Sequence, residues 1–561
     1  MEGVSRGNRE PCNYYHLRMC SNAFGGRAKF EMFDLIIRNG RVIDGTGNQG
    51  ALSDLGVVGE KITHFGTIPV ETRATVEIDA HGLVVSPGFI DIHTHADIAL
   101  LARPDHLPKV MQGVTTEVFT NCGLGFAPVT GEGLALQRNY IAGLFGDDNA
   151  KKTPQPVDWS WRTVGDFLGR FEAQGIGANI VYLIPHGSIR VSAMGMEERH
   201  ADANELEQML SMLKQGMEEG AWGISTGIWY SPMRSAAREE LTTLFREAGF
   251  YATHQRDYGS KIFEATQESL DIAREAGIPV QIAHLQMNGA GNAGRASEIL
   301  EMLDRARQSG IDVSCDTYPY TAGSTFIQSL LPAWSVEGGS EKILARLANP
   351  DSRAKMIDFI DLHPETGEIR ADWDSYQLVG ATSKRNRDYE GMSFDKIAAA
   401  RKLRAPEWVA CVLEEEELRA CYVHHAAHEG NVRDILRWDG QMIGSDGLHL
   451  PGKTHPRLYG TFPRVLGKYV REEGVLSLEQ AIQKMTSLPA NRLGLKNRGV
   501  LKVGNFADIV IFDPKTITDT ASYTDPLRFP TGIPYVFANG KAVKFDDVST
   551  GALPGKVLRK Q

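Results

Sequence analysis

The chain is poor in cysteine. It also lacks any apolar run long enough to span a bilayer, any block of one charge sign, any internal repeat and any low-complexity stretch. Each absence removes a class of function. Six cysteines in 561 residues, at positions 12, 20, 122, 315, 411 and 421, form no compact disulfide framework, which fits a reducing compartment. No segment approaches the ~20 apolar residues of a membrane span, and the first thirty residues hold no apolar core of a signal peptide. The expected location is therefore cytoplasmic. Residues 1–30 read as a flexible polar leader in which Cys12 and Cys20 match no zinc-binding spacing. The formal charge of −10 is spread over interleaved acidic and basic residues, so no basic surface for nucleic acid is expected. The expected partner is a small molecule, and the sequence carries no signature of an oligomeric state.

What is present is the composition of a globular enzyme, 42% hydrophobic and 23% charged. Short strands separated by glycine-containing turns occur at both ends: FDLIIRNGRVIDGTG and SDLGVVGEKITHFGTI early, GVLKVGNFADIVIFDP and PYVFANGKAVKF late. These ends are expected to meet in one small β-sandwich built from residues 31–87 and 495–545, bracketing a central domain over 88–494. That domain alternates apolar β-branched runs with helical patterns. VVSPGFIDIHTH, TTEVFTN, ANIVYLIPHG, AWGISTGI, GFYATHQR, IPVQIAHLQ, IDVSCDTYPY and QMIGSDG are eight candidate strands. Strands alternating with helices imply parallel βαβ units, and eight of them imply an α/β fold of the (β/α)8 TIM-barrel type. The long gap at about 321–440 is expected to hold an inserted subdomain or lid.

Polar residues cluster at the C-terminal ends of these strands, which open on one face of such a barrel. Alternation along a strand turns His93 and His95 to the same side. Cys122 follows the second strand, His186 ends the third, and His254, His284 and Asp446 end three others. Imidazole, thiolate and carboxylate donors together suit Zn2+, whose catalytic sites keep a position open for water. Such an ion lowers the pKa of water towards about 7 and polarises a carbonyl oxygen. A carboxylate beside it, here Asp446, takes a proton and returns it to a leaving group. Cys315, Cys411 and Cys421 read as buried small hydrophobes. His424, His425 and His428 in VHHAAHEG read as lying on a helix that nothing aims at the site.

Several segments are similar to one known family. GFIDIHTHAD, GVTTEVFTNCGLGFAP, PHGSIRVSAMG, GISTGIWYSP, DTYPYTAGST, GSDG with HPRLYGTFPRVLGKYVRE, KMTSLPANRLGL and RGVLKVGNFADIVIFDP resemble the N-acyl-D-amino-acid deacylase (D-aminoacylase) branch of the amidohydrolases. The likeness runs from about Phe33 to Asp513. It implies a zinc-dependent hydrolase of N-acyl-D-amino acids with one tight zinc on Cys122, His254 and His284. His93, His95 and Asp446 would line a second, weaker position, and Asp446 would be the general acid/base. It further implies that Arg457, Tyr318 and Ser324 bind the substrate carboxylate, Arg457 through its planar fork. Tyr230 would line the pocket, and His186 would assist by hydrogen bonding or brace the site. One residue departs: where the family commonly has a lysine two residues after the last zinc histidine, this chain has Gln286, a neutral donor. That leaves open a different amide, such as a cyclic imide, a D-terminal dipeptide or a xenobiotic amide. A metal-free scaffold, the third reading, should have lost ligands that this chain keeps.

Overall fold

In the computed structural model, which describes residues 32–145, 157–362 and 369–561, all eight expected strand sites carry strands. The expected leader, with Cys12 and Cys20, lies outside the described residues. Phe89–Asp91 pairs in parallel with Val114–Phe119, and that with Asn179–Tyr182. After a break at Leu183, Ile184–Pro185 pairs with Ile224–Gly227. Tyr251–His254, Val280–Ile282, Val313–Thr317 and Gln441–Ile443 follow in order, all parallel. Finally Gly447–Leu448 pairs in parallel with Thr94–His95, so the last strand returns beside the first. Nearly every residue of these strands is buried, which is why they read as continuous apolar runs rather than alternating ones.

The helices between them form where an apolar stripe recurs every three to four residues. Ala203–Glu218 opens with a capping box of Asp202 and Glu205 and buries Met209 and Leu213 on one face. Ala296–Gln308 buries Ile299 and Leu303 in the same spacing.

The two chain ends join in a single connected sheet of nine strands. Phe33–Val42 pairs with Ala51–Val58 on one side and with Ala74–Asp79 and Val84–Pro87 on the other. Val84–Pro87 then pairs antiparallel with the late strand Ile509–Phe512. The break between this sheet and the parallel strands falls at Gly88, where a Cβ would stand 2.1 Å from Thr115 Oγ1. The C-terminal tail folds back onto the molecule: Ile180 donates its amide to the Lys556 carbonyl at 2.9 Å, and Leu558 returns a bond to Ile180 at 2.8 Å.

Within 321–440 an antiparallel three-stranded sheet forms from Gly323–Phe326, Cys421–His424 and Tyr376–Val379, with helices packed around a core that includes Leu378, Phe394 and Trp408. Here the expected helix over VHHAAHEG is corrected. Cys421–His424 is the central strand of the sheet, and the helix begins only at Glu429. Pairing on both edges decides the matter, since strand preference depends on tertiary neighbours more than on local sequence.

Candidate metal centre and substrate cavity

His93 follows Asp91 at the end of the first strand, and Asp91 sets its position. Asp91 Oδ1 accepts from the Ser445 amide at 2.8 Å and from the His93 amide at 3.3 Å. Its other oxygen accepts from Lys109 Nζ at 2.7 Å. Lys109 also donates to Ser445 Oγ, and all three side chains are buried. This buried ion pair ties the first strand to the turn that carries Asp446. The Asp446 amide completes the tie by donating to the His93 carbonyl at 2.9 Å. Gly444 allows the approach, because a Cβ there would lie 2.7 Å from His93 Cβ.

Two overlapping donor groups result. His93, Cys122 and His284 form one, and His93, His95 and Asp446 the other, with the donor atoms of each within 4.8 Å of one another. Cys122 Sγ lies 3.4 Å from His93 Nε2 and 3.5 Å from His284 Nε2. Asp446 Oδ1 lies 3.1 Å from His95 Nε2 and 3.5 Å from His93 Nε2. Three of these residues hold left-handed backbones without being glycine: Cys122 at φ 58°, Asp446 at φ 49° and His284 at φ 33°. Such strain persists where surrounding packing enforces it, commonly at functional sites. Gly227 helps to enforce it, since a Cβ there would stand 2.3 Å from the Cys122 carbonyl oxygen.

The grouping differs from the expected one in one member. Cys122 and His284 converge with His93, whereas His254 stands beside His284, ring centroids 4.5 Å apart. The His254 ring is stacked on Trp229 at 6°, and its Nδ1 is buried with no hydrogen-bond partner among the described residues.

Electrostatics suit a cation. Burial, and then the neighbouring His284, push the His254 imidazole well below its ordinary value, and burial brings His284 down to about 4; neutral imidazole is the ligand form. Burial raises the Cys122 thiol to about 11, so an ion is what would hold it as thiolate. Burial also pushes the Asp446 carboxyl up. The Arg457 guanidinium, followed by His93 and His95, outweighs that and holds it well below the usual carboxylate range. Borderline nitrogen and sulfur donors, a buried orphan nitrogen and a carboxylate fit zinc better than a hard, oxygen-seeking ion.

A cavity of about 610 Å3 opens over this cluster, lined among others by His95, Cys122, His254, His284 and Asp446. Tyr318, Ser324, Gln286 and Tyr230 line it too. Arg457 does not; it is fully buried behind Asp446, with Nη1 2.9 Å from Asp446 Oδ2 and its guanidinium 4.5 Å from the Tyr318 ring. Gln286 spends both ends of its amide on the protein, donating to the Tyr320 carbonyl at 2.8 Å and accepting from Tyr318 Oη at 3.3 Å. Ser324 Oγ donates to the Tyr422 carbonyl at 2.8 Å.

His186 does not line the cavity; it is fully buried, its nitrogens 2.9 Å from Thr226 Oγ1 and 2.8 Å from Glu240 Oε1, which leaves it the bracing role. Glu240 in turn pairs with Arg190, so His186 belongs to a structural ion cluster beside the C-terminal ends of the third and fourth strands. His424, set aside in the sequence reading, does line the cavity, stacked 4.0 Å from the Tyr376 ring.

Sequence reasoning missed Asp316, Asp91 and Lys109. Asp316 Oδ1 lies 3.0 Å from His93 Nδ1 and accepts from the His284 amide at 2.8 Å, while its other oxygen accepts from Gln281 at 2.7 Å. It orients one imidazole and the backbone of another. Period-two alternation carried a signal, since Asp91 shares a strand face with His93 and His95, and Asp316 with Tyr318. Lys109 had none.

The amidohydrolase family matches residues 76–544. D-aminoacylase of Alcaligenes xylosoxydans xylosoxydans is 35% identical over 539 residues, covering 94% of this chain and 98% of that protein. N-acyl-D-glutamate deacylase of the same organism is 34% identical over 546 residues, covering 94% and 97%. Among solved structures, N-acyl-D-glutamate deacylase from Bordetella bronchiseptica, complexed with zinc and a phosphonate inhibitor, superposes with a TM-score of 0.78 at 32% identity, covering 94% of this chain and all of that one. Matches of this extent, over a chain whose buried histidines, cysteine and aspartate converge as described, show that the protein belongs to the amidohydrolase family, in its D-aminoacylase branch.

Proposed function

We propose that this amide-bond hydrolase removes the acyl group from N-acyl-D-amino acids with zinc as cofactor and Asp446 as proton carrier. The observation that carries the reading is the pair of donor groups sharing His93 on the floor of a large cavity. The architecture assigned to it is a (β/α)8 barrel over 88–494 with the insertion at about 321–440, flanked by a small β-sandwich from residues 31–87 and 495–545. Cys122, His284 and His93 or His254 would hold a tight ion, and His93, His95 and Asp446 a weaker second one. Zinc bound there would supply Lewis acidity, polarising a carbonyl and acidifying water.

The chain's own residues do the rest. Asp446 borders the cavity with one oxygen 3.1 Å from His95, within reach to take a proton from attacking water and pass it to the departing nitrogen. Arg457 would reach the substrate carboxylate by exchanging its contact with Asp446, and Tyr318 and Ser324 would add their hydroxyls by releasing Gln286 and the Tyr422 carbonyl. Tyr230 forms part of the wall, its hydroxyl held 3.0 Å from Thr325 Oγ1.

Gln286 favours a second reading. Its amide brings no charge to the carboxylate end, and Tyr318 already donates to it, so an amide without a free α-carboxylate is the alternative substrate. Rates on N-acetyl-D-amino acids, their L-enantiomers and their carboxamide analogues separate the two. D-selective turnover that falls sharply in the carboxamides supports deacylation of N-acyl-D-amino acids. Equal rates on acids and carboxamides favour the second reading.

A further inference from the structure

Outside the donor cluster the cavity wall includes the apolar side chains of Leu330, Leu331 and Ile360. Its volume of about 610 Å3 falls within the range of roughly 300–1,000 Å3 that holds drug-sized ligands, well beyond a short acetylated amino acid. Tyr230 stands beside His254 with rings 4.7 Å apart. Tyr422 and Tyr376, also in the wall, meet edge to face with centroids 5.3 Å apart, and Arg370 lies against Tyr376, its guanidinium 5.3 Å from the ring.

Arg370 is unusual for a buried cation. Its side chain is only 6% exposed, yet its one carboxylate neighbour among the described residues, Asp372, is 3.6 Å away and itself 32% exposed. Tyr376 Oη is a long 3.4 Å contact, and Nε has no hydrogen-bond partner among the described residues. The guanidinium instead packs beside the rings of Trp373 and Tyr376, 4.9 and 5.3 Å from their centroids. Buried Arg190, by contrast, is matched to both oxygens of Glu240. Burying a cation without a full partner is costly, and a planar fork packed beside aromatic rings at a cavity wall is suited to take a carboxylate.

We propose that Arg370 forms a second anion subsite, so that the preferred substrate is an N-acyl-D-amino acid bearing a carboxylate at the far end of an extended apolar chain. This rests on the deacylase reading above. The chain belongs to the acyl group or to the amino-acid side chain; the chemistry Arg370 reads is the same in both.

Two matched pairs of substrates distinguish the sources on the zinc-loaded protein. N-suberoyl-D-leucine against N-octanoyl-D-leucine tests the acyl side, and N-acetyl-D-2-aminosuberate against N-acetyl-D-2-aminooctanoate tests the side chain. In one arm the carboxylate-ended member should have a KM lower by about tenfold at similar kcat, the size of one charge-assisted hydrogen-bond pair. Arg370→Met should bring that ratio to about one, and Arg370→Lys should keep part of it. The proposal is overturned if neither arm of the wild type prefers the carboxylate, or if the preference survives Arg370→Met. If no N-acyl-D-amino acid is hydrolysed, the deacylase reading fails instead, and the subsite is read by calorimetry. Suberate binding more tightly than octanoate in the wild type, and equally in Arg370→Met, sustains it; no difference in the wild type overturns it.

Discussion

Arg457 Nη1 stands 2.9 Å from Asp446 Oδ2 while Asp446 Oδ1 stands 3.1 Å from His95 Nε2. One carboxylate thus lies between a buried guanidinium on one side and the histidines of the candidate metal centre on the other. In the proposed reaction the two oxygens divide the labour: one stays with the cluster, and the other is released when a substrate carboxylate draws Arg457 away.

Replacing Asp446 by Asn keeps the size and removes the proton acceptor. Turnover should fall by about 10^2–10^4, the typical weight of one general acid/base. Zinc content should stay near that of the wild type, because His93, Cys122 and His284 remain grouped. Steady-state kcat together with metal analysis of purified protein checks both halves. Full activity in a well-folded variant refutes the role.

Cys122→Ala should lose both. Cys122 Sγ is within 3.5 Å of His93 and His284, so its removal takes a ligand from the centre of the cluster. The zinc-to-protein ratio and kcat/KM should fall together, and added zinc should restore little. A variant that retains stoichiometric zinc speaks against thiolate ligation.

Asp316→Asn tests a positioning residue. The carboxylate holds His93 through Nδ1 and the His284 amide, and loss of such outer partners typically costs 10–100-fold in metal affinity. Competition with a chelator should show zinc leaving the variant at correspondingly lower chelator concentration, with a fold unchanged by circular dichroism.

Lys109→Met should be strongly destabilising, by roughly 3–5 kcal/mol, since it leaves the Asp91 carboxylate buried without its cation. Adding Asp91→Asn should recover part of the loss, a non-additivity expected of residues in contact. Denaturant unfolding of the two single variants and the double variant measures it; strictly additive losses would deny the coupling.

Lys484 offers a test by pH. Burial lowers its ammonium to about 8 from an ordinary 10.5, and Nζ is held by the Trp438 carbonyl at 2.5 Å. As pH rises through 8 the folded protein releases this proton while the unfolded chain keeps it until about 10.5. The unfolded state then binds more protons, and stability gains with pH. The gain is on the order of 3 kcal/mol across that window. The difference in unfolding free energy between wild type and Lys484→Met should move in the wild type's favour from pH 8 to 10.5. A flat difference contradicts a neutral buried lysine.

The sequence by itself determined the periodic parts of this protein. Eight apolar runs flanked by turn residues each became a strand, and the polar residues that end them mostly reached one cavity, because a strand's period of two aims every second side chain the same way. His186 shows where that stops: it too ends a strand, yet a glutamate from a helix 54 residues on captures it. Only the tertiary structure decided that Cys122 and His284 converge with His93, that Gln286 is already engaged with Tyr318 and Tyr320, and that Lys109 clamps the Asp446 turn to the first strand. The Cys421–His424 strand, read as a helix, likewise took its form from two neighbouring strands. These are contacts between residues tens to hundreds of positions apart, and no local propensity or spacing encodes which buried charge will find which partner.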